Sequence, residues 1–185
     1  GISVFHLSRK DGDKAMKRFS IALAFVMAVT ALCLNLPVMA ASRDPYSGFS
    51  TTTLDGSNIT TYNISSGYLG STGAGNYFYY ENVDFGEVSP TSVELEIGVP
   101  EEYSGATVEI RIDSPTGPLL ASMVDQPSSF DTALTHKADI LTPVTGIHTL
   151  YIKTGDKTAN FFMIKFNKPL TGQDVYTVFE ASDAF

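Results

Sequence analysis

Residues 108 to 113 alternate in character. Val108, Ile110 and Ile112 are apolar, and Glu109, Arg111 and Asp113 between them are charged. Successive side chains of a strand point to opposite faces, so this pattern predicts a strand with one buried face and one solvated face. Ser114-Pro115-Thr116-Gly117 follows with turn chemistry, proline fixing φ and glycine accepting φ > 0. Leu119 and Leu120 then open the next strand. The same reading predicts strands over 48–54, 59–65, 77–82, 92–99, 107–113, 119–124, 133–141, 148–154 and 161–167. Turn clusters separate them, among them Asp55-Gly56, the glycine- and serine-rich run 70–75, Ser104-Gly105, residues 143–146 and Gly155-Asp156. Past residue 40 no stretch carries a 3.6-residue period. Many short strands at regular spacing predict an all-β sandwich or barrel.

The pattern changes at both ends. Lys17 and Arg18 precede an apolar run from Ile21 to Leu34, Pro37 breaks it, and Val38-Met39-Ala40 supplies small residues before a cleavage point. Residues 16–40 therefore read as a secretory signal peptide cleaved after Ala40. The run is shorter than the ~20 residues of a membrane span, so no membrane attachment is expected after cleavage. Residues 1–15 carry Asp11 and Asp13 ahead of the basic pair and read as an upstream extension, with Met16 the natural start. Residues 41–169 form the module. In 170–185 the alternation weakens after Pro169 and returns at Val175 to Glu180. Residues 180–185 (EASDAF) echo Ala41-Ser42-Arg43-Asp44-Pro45-Tyr46, which predicts a linker and the start of a further module in a longer protein.

Composition narrows the partners. The single cysteine, Cys33, lies in the signal's apolar run, so the exported part has none. Its stability must come from core burial rather than disulfides, which suits a secreted, extracellular bacterial protein. From residue 41 onward there are 7 Lys and Arg against 18 Asp and Glu, a net of −11. Phosphates would be repelled, which excludes nucleic acid as a general partner. Polyanionic glycans are disfavoured for the same reason, and a neutral glycan is the ligand that fits this charge.

Five segments, in order, carry a family resemblance. Gly67-Tyr68-Leu69, then residues 80–86 (YENVDFG), 108–120 (VEIRIDSPTGPLL), 145–152 (TGIHTLYI) and the closing strand 160–166 (NFFMIKF) closely resemble the corresponding strands of carbohydrate-binding module family 6. The resemblance covers roughly residues 44–168, a plausible length for one domain. It implies a jelly-roll β-sandwich of two antiparallel sheets, and non-catalytic binding of a neutral plant or algal polysaccharide or oligosaccharide. It also implies that the chain is part of a larger glycoside hydrolase, which the module holds on its substrate as a tethered catalytic domain.

Binding residues follow from the same resemblance. Sugar recognition needs flat aromatic surface against the C–H face of the ring and polar groups around it. There is no Trp, so Tyr and Phe must supply the surface. Tyr68 matches one clamp position and Phe130 the other. Asn160 matches the rim amide, and Asp55 the acidic rim position. A second site on a sheet face would use Tyr77, Glu109 and Arg111, for which cross-strand charge pairing is the alternative reading. Many members hold a structural calcium through acidic residues near both domain ends. Asp44 matches one ligand, Ser42 replaces another, and Phe162 stands where an Asp is common, so that site is expected to be weak or lost.

Two other readings remain. Plentiful carboxylates leave room for a paired-carboxylate glycosidase in the chain itself. A structural spacer that no longer binds is the other. Against catalysis, His136 and His148 sit in strands, and no nucleophile motif, phosphate loop or metal-ligand cluster is present.

Overall fold

The computed structural model describes residues 41–64, 66–70 and 72–170. The expected signal peptide, the upstream extension and the tail after residue 170 lie outside the described residues. Among the described residues nine strands form: β1 (Phe49–Ser50), β2 (Gly56–Ser57), β3 (Tyr77–Asp84), β4 (Ser92–Gly98), β5 (Thr107–Ile112), β6 (Leu119–Val124), β7 (Leu134–Asp139), β8 (Ile147–Lys153) and β9 (Asn160–Asn167). They build two antiparallel sheets, one of four strands in the order β1-β9-β4-β7 and one of five in the order β2-β3-β8-β5-β6. The expected all-β sandwich is what the chain forms. No helix among the described residues is long and apolar enough to cross a membrane.

Alternation sets the core. In the five-stranded sheet Phe78, Ile152, Ile110 and Ala121 stand in register across β3, β8, β5 and β6, and all four are fully buried. Leu95, Ile97, Phe161, Ile164 and Phe166 face them from β4 and β9. A one-residue slip would turn each row to solvent, so burial pins the register. Arg111 locks the β5–β6 hairpin by donating to the Gly117 carbonyl at 2.7 Å.

Two expected strands are corrected. Of the expected strand over 59–65, the described residues 59–64 form no strand. Ile59 is buried, but Tyr62 and Ile64 are 42% and 43% exposed, so the segment has no apolar face to seat on a sheet. Pairing occurs earlier, where Gly56 lies opposite Tyr79. Residues 48–54 keep only the two-residue β1 before a 3-10 turn over Thr51–Thr53. Thr51 is buried and donates its hydroxyl to the Phe161 carbonyl, while Ser50 caps the Thr52 amide at 3.2 Å. A side chain that satisfies the backbone locally competes with the strand ladder.

Candidate functional site

The segment that carries Tyr68 is clipped to the start of β9. Leu69 and Phe161 exchange both backbone hydrogen bonds, at 2.7 and 2.9 Å. Both side chains are buried. Their sequence neighbours therefore point the other way, and the Tyr68 and Phe162 rings meet at 5.2 Å on the outside. Gly67, at φ +83°, gives the turn that brings the chain in. Thr72 adds a second clip, donating to the Ala159 carbonyl at 2.8 Å and accepting from its amide at 3.0 Å.

Phe130 arrives from the loop between β6 and β7. Ser128 donates its amide to the Val99 carbonyl at 2.6 Å and accepts the Val99 amide at 3.1 Å. Asn160 donates its side-chain amide to the Phe130 carbonyl at 2.9 Å. The loop can lie this close because residue 98 is glycine. A Cβ there would stand 2.6 Å from the Ser129 carbonyl oxygen. Tyr103, on a 3-10 turn over Glu101–Tyr103, rests against Phe130 with ring centres 5.7 Å apart.

These pieces enclose a cleft of about 270 Å³ lined by Asn63, Tyr68, Gly70, Phe130, Thr158 and Asn160. Three of the four residues expected from the sequence meet there. Asn160 is 6% exposed, and its amide nitrogen is committed to Phe130, so it positions a wall as well as lining the floor. Asp55 is not brought to the cleft. Its carboxylate pairs with Arg43 at 3.0 Å and accepts the Glu81 amide at 2.7 Å, which fixes it to the β3 edge. Sequence reasoning missed Asn63, Gly70 and Thr158 in the lining, and Phe162 and Tyr103 beside the clamp rings. One signal was available, since a glycine at the end of an apolar strand marks a close backbone approach.

On the five-stranded sheet, Tyr77, Glu109 and Arg111 share the solvated face. Glu109 is held by Arg111 at 3.0 Å and Lys153 at 3.2 Å. The Arg111 hydrogen bond, and then the Lys153 one, keep its carboxyl below the ordinary range. Glu109 thus pairs along β5 with Arg111 and across the sheet with Lys153 on β8. Beside them lies an aromatic row that the sequence reading missed: Tyr151 contacts Tyr77 at 5.7 Å and Tyr79 at 5.1 Å.

Asp44 lines a larger cavity of about 380 Å³ together with Arg43, Tyr46, Asp84, Glu87 and Lys168. Its two carboxylate oxygens accept from the Tyr46 amide at 3.0 Å and the Ser47 hydroxyl at 2.6 Å. The Ser47 hydrogen bond is the main cause holding its carboxyl below the usual range. Asp84 caps the Gly86 amide in the same way. Calcium requires six to eight oxygen ligands. Phe162 contributes a ring beside Tyr68, and among the described residues no three Asp, Glu, His or Cys side chains converge closely enough to hold a metal ion by themselves. Asp44 and Asp84 each accept an amide of their own turn.

Comparison with known proteins agrees with the geometry. The family model described as "Carbohydrate binding module (family 6)" matches residues 44–168. No curated protein sequence matches the chain. A family 6 module from Clostridium stercorarium, solved with cellobiose, superposes with a TM-score of 0.64 at 24% identity, over 71% of this chain and 100% of that one. A family 6 module from Clostridium cellulolyticum, solved with xylose, gives 0.61 at 26% identity, over 68% and 99%. A glycoside hydrolase family 43 arabinoxylan arabinofuranohydrolase from Bacillus subtilis, solved with cellotetraose, gives 0.63 at 17% identity, over 70% of this chain and 28% of that one. With its two-sheet sandwich and its family match, the chain belongs to carbohydrate-binding module family 6, a family of non-catalytic sugar-binding domains.

Proposed function

We propose that the cleft between Tyr68 and Phe130 holds a sugar ring of a neutral polysaccharide, and that the module thereby keeps an attached, secreted polysaccharide-degrading enzyme on its substrate. One observation carries this reading. Among the described residues the cleft is lined by two aromatic rings and by amide, hydroxyl and glycine groups, with no charged side chain, although residues 41–185 carry a net charge of −11. Aromatic faces accept the C–H face of a sugar, and Asn63, Thr158 and Asn160 supply polar groups at the edges. The solved modules that share the fold were crystallised with cellobiose and xylose, both neutral sugars. Support for a tethered enzyme comes from the arabinofuranohydrolase, of which the matched part is 28%. Hydrolysis in the chain itself would need paired carboxylates at the bound sugar. The cleft lining holds neither Asp nor Glu.

Affinity electrophoresis of the chain through soluble xylan, mixed-linkage β-glucan, laminarin, agarose and arabinan tests the proposal. Retardation by at least one of them, abolished by Tyr68→Ala and by Phe130→Ala, is expected. Free migration through all five overturns it.

A second reading has its own observation. Tyr77, Tyr79 and Tyr151 make a contiguous aromatic row on the five-stranded sheet, and glycan binding there would survive Tyr68→Ala and be lost in Tyr151→Ala.

A further inference from the structure

The aromatic surface does not end at Phe130. Tyr103 lies beside it with ring planes 32° apart and centres 5.7 Å apart. Tyr103 is 38% exposed and lies outside the cleft lining. Its ring contact is with Phe130, and its hydroxyl makes no hydrogen bond to any other described residue. An exposed ring adjoining the half-buried Phe130 at a loop edge extends the aromatic surface beyond the cleft lining.

The turn beneath Tyr103 is held still. The Tyr103 amide donates to the Pro100 carbonyl at 3.0 Å, and the Ser104 hydroxyl to the Glu101 carbonyl at 2.9 Å. Asp125, 2% exposed, accepts the amides of Gly105 at 2.6 Å and Ala106 at 3.0 Å. Lys157 reaches across to donate to the Ser104 carbonyl at 2.7 Å. Its neighbour Thr158 lines the cleft, so one loop both borders the cleft and anchors the Tyr103 turn.

We propose that Tyr103 is an outward sugar-stacking subsite continuous with the Tyr68–Phe130 cleft, so that the site takes a neutral glycan chain of several units rather than one terminal sugar. This rests on the reading that the cleft binds sugar. A ring of the chain sits between Tyr68 and Phe130, and the next one stacks on Tyr103. A ring already fixed by its turn needs little further ordering when a ligand arrives, and preorganisation of this kind raises affinity. Glu101 and Glu102 flank the ring and are exposed, which favours a neutral chain over a polyuronate.

Calorimetric titration of the full chain, Tyr103→Ala and Tyr103→Phe with xylo-, cello- and laminari-oligosaccharides, from monosaccharide to pentasaccharide, tests this. For the series that binds, loss of one stacking ring should weaken the longer members about tenfold in Tyr103→Ala. The loss should grow with chain length, and Tyr103→Phe should retain most of the affinity. Circular dichroism of each variant checks that the sandwich is intact. Equal loss at every chain length would make Tyr103 only a support for Phe130 and overturn the subsite. Undiminished affinity of Tyr103→Ala for the long members would overturn it as well, leaving the cleft reading standing. A parent chain that binds no member of any series overturns both.

Discussion

Gly98→Ala tests how the cleft is built. Gly98 ends β4 and pairs with Asn160. An added Cβ would stand 2.6 Å from the Ser129 carbonyl oxygen, 3.1 Å from that of Phe130 and 3.0 Å from the Phe162 ring, where ordinary contact begins at 3.4 Å. The 129–130 backbone must back away by about 0.8 Å to make room. If Asn160 stays on β9, its 2.9 Å bond to the Phe130 carbonyl lengthens to as much as about 3.7 Å and is lost. Overpacking costs roughly 1–3 kcal/mol and the broken, partly buried hydrogen bond about 1 kcal/mol more. The smaller backbone entropy of alanine in the unfolded chain returns about 0.4–1 kcal/mol. A net loss near 2 kcal/mol would move a urea midpoint down by about 1 M. Phe130 shifts with its carbonyl, and Phe162 presses on Tyr68, so glycan affinity should fall by roughly tenfold. Urea unfolding followed by circular dichroism, together with calorimetric titration, measures both. A variant as stable as the parent and binding as tightly would refute the seating of the loop on Gly98.

Three further outcomes are expected. Asp55→Ala removes the Arg43 pair and strands the Glu81 amide, so stability should fall by about 1–2 kcal/mol while glycan affinity holds; a selective loss of affinity would return Asp55 to the rim. The Tyr80 hydroxyl is buried without a hydrogen-bond partner among the described residues, so Tyr80→Phe should gain about 1 kcal/mol and raise the thermal midpoint by a few degrees; a lowered midpoint would show that the hydroxyl is satisfied. Because both Asp44 oxygens cap their own turn, adding a chelator should leave the thermal midpoint unmoved; a drop reversed by Ca²⁺ would contradict that.

Legibility followed locality. β6 falls on 119–124 as the alternation predicts, because a half-buried strand between turns writes its own period. Residues 59–65 look equally strand-like, yet only Ile59 finds the core, and the pattern cannot say how many of its apolar residues will be covered. Asp55 reads as half of an Asp-Gly turn, while its partners lie 12 residues earlier and 26 later. Phe162 reads as a lost carboxylate. Its actual place beside Tyr68 follows from the exchange between Leu69 and Phe161, a long-range pairing with no local signature. The family resemblance pointed to Tyr68, Phe130 and Asn160, and the fold gathers these three at one cleft; Tyr103 lies on a short 3-10 turn that the strand pattern does not mark.

The most direct measurement is a crystal structure of the chain with an oligosaccharide drawn from whichever polysaccharide retards it. A sugar ring stacked between Tyr68 and Phe130, with Asn63, Thr158 or Asn160 hydrogen-bonded to its hydroxyls, is expected. A well-ordered oligosaccharide elsewhere on the module, with the Tyr68–Phe130 cleft left to solvent, would contradict it.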